Sequence, residues 1–176
     1  PDYSPPALVA FRRWLTDKYG SDAALSRAWH DPRVSLDGAA IPSEAIRRRC
    51  GPRLVRDPRL DQAAIDYELF LSDLCADTLL HFCHTVKEVT GHRRLTGAFY
   101  GYLLWQTGLI NAVVNNAHLA VRRLLDSPDI DFLTGITSYS NRGLTRPGSF
   151  MLPTESIQAA GKLHYSEVDV RTHLIT

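Results

Sequence analysis

Apolar residues near the start of the chain recur at helical intervals. Leu8, Phe11, Leu15 and Tyr19 fall three or four positions apart, which predicts a helix over 5–19. Ser4 stands where an N-cap belongs, Pro5 and Pro6 suit a first turn, and Gly20 is placed to end the helix. A second short helix is expected from Ser21 or Asp22 to Trp29. Residues 30–58 lose the periodicity and carry Asp-Pro, Asp-Gly, Ile-Pro and Gly-Pro punctuation, so they read as loop, with a helical turn at 43–49. So long an excursion is usually functional or packs over a neighbour. Residues 59–90 are the longest periodic stretch. Ile65, Leu69, Leu79, Phe82, Val86 and Val89 are expected to form the buried face of a helix that stops at Gly91.

The pattern then changes period. Leu95 to Tyr102 reads as a buried strand, with glycine and alanine where something packs closely. Residues 103–115 read as a loop and Ala117 to Leu125 as a helix ending at Ser-Pro. Asp129 to Thr137 is a second apolar strand, followed by a loop over 138–153. Thr154, as cap, opens a short helix, and Leu163 to Val168 is the last strand. Helices alternating with strands imply right-handed crossovers and a parallel sheet. The expected fold class is therefore α/β, with about three parallel strands and flanking helices on one face. A complete barrel of eight strands takes about 250 residues. These 176 residues suit one domain with the look of a partial (β/α)8 TIM barrel.

Composition removes several classes. The net charge is +1 with acids and bases interspersed, so no basic stripe points to nucleic acid and no polybasic tail to a membrane surface. The apolar runs are far shorter than a membrane span. Cys50, Cys75 and Cys83 cannot all pair, and free, buried thiols fit a reducing compartment, cytoplasmic rather than secreted. His81 and His84 share the long helix without HExxH or clustered Cys/His spacing, so neither metal nor cofactor is expected. A first residue that is not Met reads as a trimmed precursor or a piece of a longer chain.

The chemistry concentrates near the C-terminus. The last strand runs into Glu167 and Asp169, with Arg171 two positions on. A carboxylate at the C-terminal end of a parallel strand sits where α/β barrels place catalytic groups. A nearby cation keeps it ionised, as a nucleophile in sugar chemistry must be. The alternative is a solvated carboxylate simply paired with Arg171. Tyr102, Trp105 and Tyr139 follow strand ends, where aromatic rings can stack on the apolar faces of sugars; core or rim packing is the competing reading. Asn116, His118 and Arg142 are candidates to hydrogen-bond sugar hydroxyls, although Asn115 and Asn116 can equally cap the following helix.

The segment FRRWLTDKYGSDAALSRAWHDP resembles the helix pair FRxWLxxKYGxxxALNxAW of the catalytic barrel of glycoside hydrolase family 42, the bacterial β-galactosidase group. GAFYGYLL, AHLAVRRLLDSPDIDFLTGITSYSNR and PTESIQAAGKLHYSEVDVRT are similar to that family's strands five to seven. The resemblance implies a retaining glycosidase whose partner is a carbohydrate, a β-galactoside or related glycan. It places Glu167 at the nucleophile position ending strand seven, with Asp169 and Arg171 in support. It also implies an acid/base Glu at the end of strand four, before residue 1. A non-catalytic carbohydrate-binding or structural hydrolase-like module is the alternative. Open sheet edges on a half-barrel further imply a homo-oligomer or other self-association.

Overall fold

The computed structural model describes residues 2–49, 56–103, 117–139, 145 and 148–167. Two compact units are present. One holds the described residues up to Ser72 together with Ala117; the other holds the described residues from Asp73 onward, apart from Ala117.

The first unit is helical. Helix α1 spans Pro5–Tyr19, α2 Asp22–Trp29 and α3 Glu44–Arg48, and the opening of α4 (Pro58–Thr90) completes the unit. Serines cap α1, α2 and α3, and Ser4 is the cap expected from sequence. Ser4 accepts from the Ala7 N–H, Ser21 from the Ala24 N–H, and Ser43 from the Ile46 N–H. Gly20 ends α1 at φ 69°, a left-handed turn that glycine takes without strain. Phe11, Leu15, Leu25, Tyr67 and Phe70 are buried together, with the Tyr67 ring edge-on to Phe11 at 5.3 Å. Each of these side chains contributes about 1.5–3 kcal/mol by leaving water.

A charge lies inside this apolar packing. The fully buried Asp66 carboxylate of α4 accepts from Lys18 Nζ at 2.7 Å, Tyr19 Oη at 2.8 Å, Trp29 Nε1 at 2.7 Å and Gln62 Nε2 at 2.9 Å. Its lone pairs are filled from α1, α2 and one turn back along α4, so one side chain ties three helices together.

The second unit carries the sheet. Strand β1 is Gly97–Phe99, β2 Phe132–Ile136 and β3 Leu163–Glu167, with α5 (Val121–Leu125) and α6 (Thr154–Ala159) between them. The order is β1-β2-β3 and both pairings are parallel. This mixed α/β architecture agrees with the alternation in the sequence. Strands β1 and β2 are shorter than expected: β1 pairs with β2 over three residues only, because Tyr100 is fully buried and Gly101 turns at φ 99°. Helix α5 begins at Val121 rather than Ala117. Ala117 takes a positive φ of 50° and gives its N–H to Glu68 Oε1 at 3.1 Å, which holds the chain out of helical geometry. Thr154 is the first residue of α6 rather than its cap, a position Pro153 takes.

The face of α4 departs from expectation as well. Ile65, Leu69 and Leu79 are only half-buried, and Phe82, Val86 and Val89 are exposed, Val89 by 81%. The second core is built instead from Ala76 and Cys83 of α4 with Tyr100, Leu124, Leu133, Leu152 and Ile157. The reason is a polar anchor. Lys87 is buried, and its Nζ reaches Asp131 Oδ2 at 2.5 Å and the Arg94 carbonyl at 3.0 Å. Asp131 also accepts from the Thr96 N–H at 2.7 Å, fixing the chain just before β1 to the chain just before β2. With Lys87 turned inward, residues 82, 86 and 89 point away. Lys162, ahead of β3, donates to the Ser127 carbonyl at 2.7 Å.

Alternation along the strands sorts the sheet into two faces. Leu133 is buried among helix residues, with Ala98 packed against the same cluster. The opposite face carries Phe99, Leu163 and Tyr165, all exposed, and Phe132, whose ring meets Tyr165 edge-on at 4.9 Å. Among the described residues, helices therefore cover one face, while the other leaves Phe99, Leu163 and Tyr165 exposed around a buried Thr134. Cys75 and Cys83 are free thiols, and burial raises the pKa of both; Cys50 lies outside the described residues.

Candidate functional site

The C-terminal ends of the three strands gather the candidate residues. Glu167 is the last residue of β3, in register with Ile136 at the end of β2, and is exposed. Alternation puts it on the open face with Tyr165 and Leu163. Tyr139, 55% exposed, lies three residues beyond β2. Tyr102 lies three residues beyond β1 and is half-buried. Burial raises the pKa of the Tyr102 hydroxyl, and the charges of Glu167 and Tyr139 add to the effect, so the three side chains share one electrostatic neighbourhood.

Tyr102 is held by small-residue packing. A Cβ on Gly135 would lie 1.8 Å from Leu152 Cδ1 and 2.9 Å from Tyr102 Cε1. Glycine in β2 thus makes room for both side chains, and no other residue fits there without displacing one of them. His118 supplies the second support. Its Nδ1 accepts from the Gly101 N–H at 2.9 Å and the Tyr102 N–H at 3.3 Å. Its ring stacks on Tyr100 at 4.7 Å and tilts against Tyr102 at 4.9 Å. An Nδ1 that accepts cannot carry a proton, so the imidazole is the neutral Nε2–H tautomer. Burial agrees, lowering its pKa to about 4.

No protein-family model, curated protein or solved structure matches this chain. The chemistry available at the strand ends therefore follows from these side chains alone. They offer an exposed carboxylate, a phenol close enough to sense its charge, an exposed aromatic ring and a neutral imidazole.

Of the residues singled out from sequence, the structure brings together Glu167, Tyr102, His118 and Tyr139. Trp105, Asn116, Arg142, Asp169 and Arg171 lie outside the described residues. His118 differs from expectation in one respect: its Nδ1 is occupied by backbone and cannot reach a sugar hydroxyl, so this atom organises the loop after β1. Tyr102 is packed against the core rather than presented as a stacking surface, and Tyr139 is the more exposed of the two rings. Tyr100 and Gly135 escaped the sequence reading as supports of the site. The small residues of GAFYGY signalled close packing, but nothing in the order of residues pairs Tyr100 with a histidine eighteen positions on. Among the described residues no group of three or more His, Cys, Asp or Glu side chains could hold a metal ion, and no helix is long and apolar enough to cross a membrane.

The His118 arrangement has a pH signature. Its folded pKa lies below the usual 6.5. The unfolded chain therefore binds more protons between pH 6.5 and 4, and stability falls as pH drops through that window. Urea midpoints measured from pH 7 to pH 4 should decline, and His118→Asn should flatten the decline. An equal slope in wild type and variant would show that His118 is not the group responsible.

Proposed function

We propose that this chain is the C-terminal part of a (β/α)8 barrel of the glycoside hydrolase family 42 type, and that Glu167 is the nucleophile of a retaining, β-galactosidase-like enzyme. The observation that carries the reading is the position of Glu167. It ends a parallel strand on the open apolar face, with Tyr102 and Tyr139 gathered at the same ends of the neighbouring strands. Catalytic groups of barrel enzymes occupy such strand ends. The bare face formed by Phe99, Phe132, Leu163 and Tyr165 is what the interior side of an incomplete barrel would present.

In this reading a Glu167 carboxylate oxygen attacks the anomeric carbon. The glycosidic C–O bond breaks, and the leaving oxygen takes a proton from a second carboxyl about 5–5.5 Å away. Water then hydrolyses the glycosyl ester. The resemblance assigns the second carboxyl to the strand-four end, ahead of residue 1. Tyr139 is proposed as the ring that stacks on the sugar, and the Tyr102 hydroxyl senses the charge of the attacking carboxylate. Among residues outside the described ones, Asp169 and Arg171 are proposed to support Glu167, and Trp105, Asn116 and Arg142 to contact substrate.

The test is covalent trapping in the parent enzyme with a 2-deoxy-2-fluoro-β-galactosyl fluoride, whose leaving group needs no acid. The expected result is one sugar added to the peptide containing Glu167. The 176-residue chain alone should turn over alkyl galactosides negligibly, for want of the acid. An adduct on another carboxylate, or efficient turnover by the isolated chain, would overturn the assignment.

A further inference from the structure

A cleft of about 740 Å³ opens in the first unit, between the segment from Trp29 to Ile46 and the first turns of α4. Its volume lies in the range of small-molecule sites. It is built wholly within the helical unit and shares no residue with the strand-end cluster.

Three features of the wall define what fits. First, Trp29 is fixed. Its Nε1–H is spent on the buried Asp66 carboxylate at 2.7 Å, and that carboxylate is held in turn by Lys18, Tyr19 and Gln62. The indole that lines the cleft is therefore set in place before any ligand arrives, so little rotamer entropy is lost on binding. Second, the cleft leaves apolar surface bare: Ile46 is 40% exposed and Leu60 60%. Third, the charges that the described residues place at its edges cancel. Asp31 pairs with Arg33 at 3.1 Å, and Asp61 with Arg49 at 3.0 Å. Two carboxylates face two guanidinium groups, so a free anion or cation gains no net field. Each ion pair still has lone pairs and N–H groups to offer a hydroxyl.

A fixed indole, bare aliphatic surface and neutral, hydrogen-bonding edges select a ligand with an apolar C–H face, a hydroxylated rim and no charge. We propose that this cleft binds a neutral polyhydroxylated ring of the pyranoside kind, as a holding site separate from Glu167. The proposal does not depend on the glycosidase reading. Phosphate, carboxylate and amine ligands are excluded by the same charge balance that admits a neutral one.

The test is a nitrogen–proton correlation titration of the full chain with methyl β-D-glucopyranoside, with inorganic phosphate and acetate in parallel. The glucoside should shift the Trp29 indole N–H and the Gly38, Ser43 and Ala63 amides saturably, with a Kd on the order of millimolar. Phosphate and acetate should leave them in place. Arg33 and Leu60 are exposed, so Arg33→Ala and Leu60→Ser should preserve the fold and weaken binding roughly three- to tenfold. Weakened binding in either variant supports the cleft; unchanged affinity in both overturns it. Glu167→Gln should leave the shifts as they are. Their loss in that variant, their absence up to about 100 mM glucoside, or a stronger response to phosphate would each overturn the proposal.

Discussion

Glu167→Gln, in a barrel enzyme of the proposed kind, is expected to remove nearly all turnover and leave the fold unchanged. Glutamine is nearly isosteric with glutamate but cannot form the glycosyl ester. The loss should be at least on the order of a thousandfold in kcat, which corresponds to about 4 kcal/mol of transition-state stabilisation. Because Glu167 is exposed, its neutralisation strands no buried partner among the described residues, and circular dichroism should not change. Asp169→Asn should cost less, since that residue is assigned support rather than attack. The ordering is the sharper part of the expectation. A dead Asp169 variant beside a Glu167 variant that keeps most of its activity would move the nucleophile two positions along the chain. Loss of activity accompanied by loss of fold in Glu167→Gln would instead give the carboxylate a structural role.

The second large effect lies in the helical unit. Asp66→Ala should destabilise that unit by about 3–5 kcal/mol, the usual cost of removing one partner from a buried charge network. The substitution strands the Tyr19 hydroxyl, the Trp29 indole N–H and the Gln62 amide in an apolar interior and leaves a cavity. Lys18 suffers least, because its side chain keeps 32% of its exposure and can turn to water. Asp66→Asn retains a carbonyl acceptor and should lose less. Urea unfolding followed by tryptophan fluorescence reads the change, since Trp29 sits on the carboxylate. A loss below about 1 kcal/mol for the alanine variant would mean that the four donors find other partners.

Buried charge pairs divide what the sequence revealed from what it hid. Helices α1 and α2 were legible because local chemistry decides them: Ser4, Ser21 and Gly20 sit at their caps and Phe11 and Leu15 face inward. The parallel sheet followed from alternation of period. The buried face of α4 did not. Periodicity assigns Phe82, Val86 and Val89 to the interior, and the structure exposes them and buries Lys87 instead. A lysine can be buried when a carboxylate forty-four positions away neutralises it, and single-chain patterns carry no sign of such a partner. At the strand ends the same division holds. Glu167 could be picked out because it terminates a strand, whereas the support of Tyr102 by His118 and Gly135 joins residues distant in the chain.

The sequence has three lysines, and the structure commits every one: Lys18 to Asp66, Lys87 to Asp131 and Lys162 to the Ser127 carbonyl. Lys18 is exposed along its side chain even so, and other exposed positive charge is carried by arginines such as Arg13, Arg33 and Arg122. Amine-directed reagents, whether cross-linkers, succinimidyl dyes or coupling resins, would find each ε-amino group engaged and would have to disrupt a tertiary contact to react. Labelling at the buried Lys87 would disturb the fold as it tagged it, whereas Lys18 can turn to water and give up one donor to Asp66. Guanidine-directed reagents, or a cysteine introduced on the outer face of α4 at Val89, offer handles that leave these contacts intact.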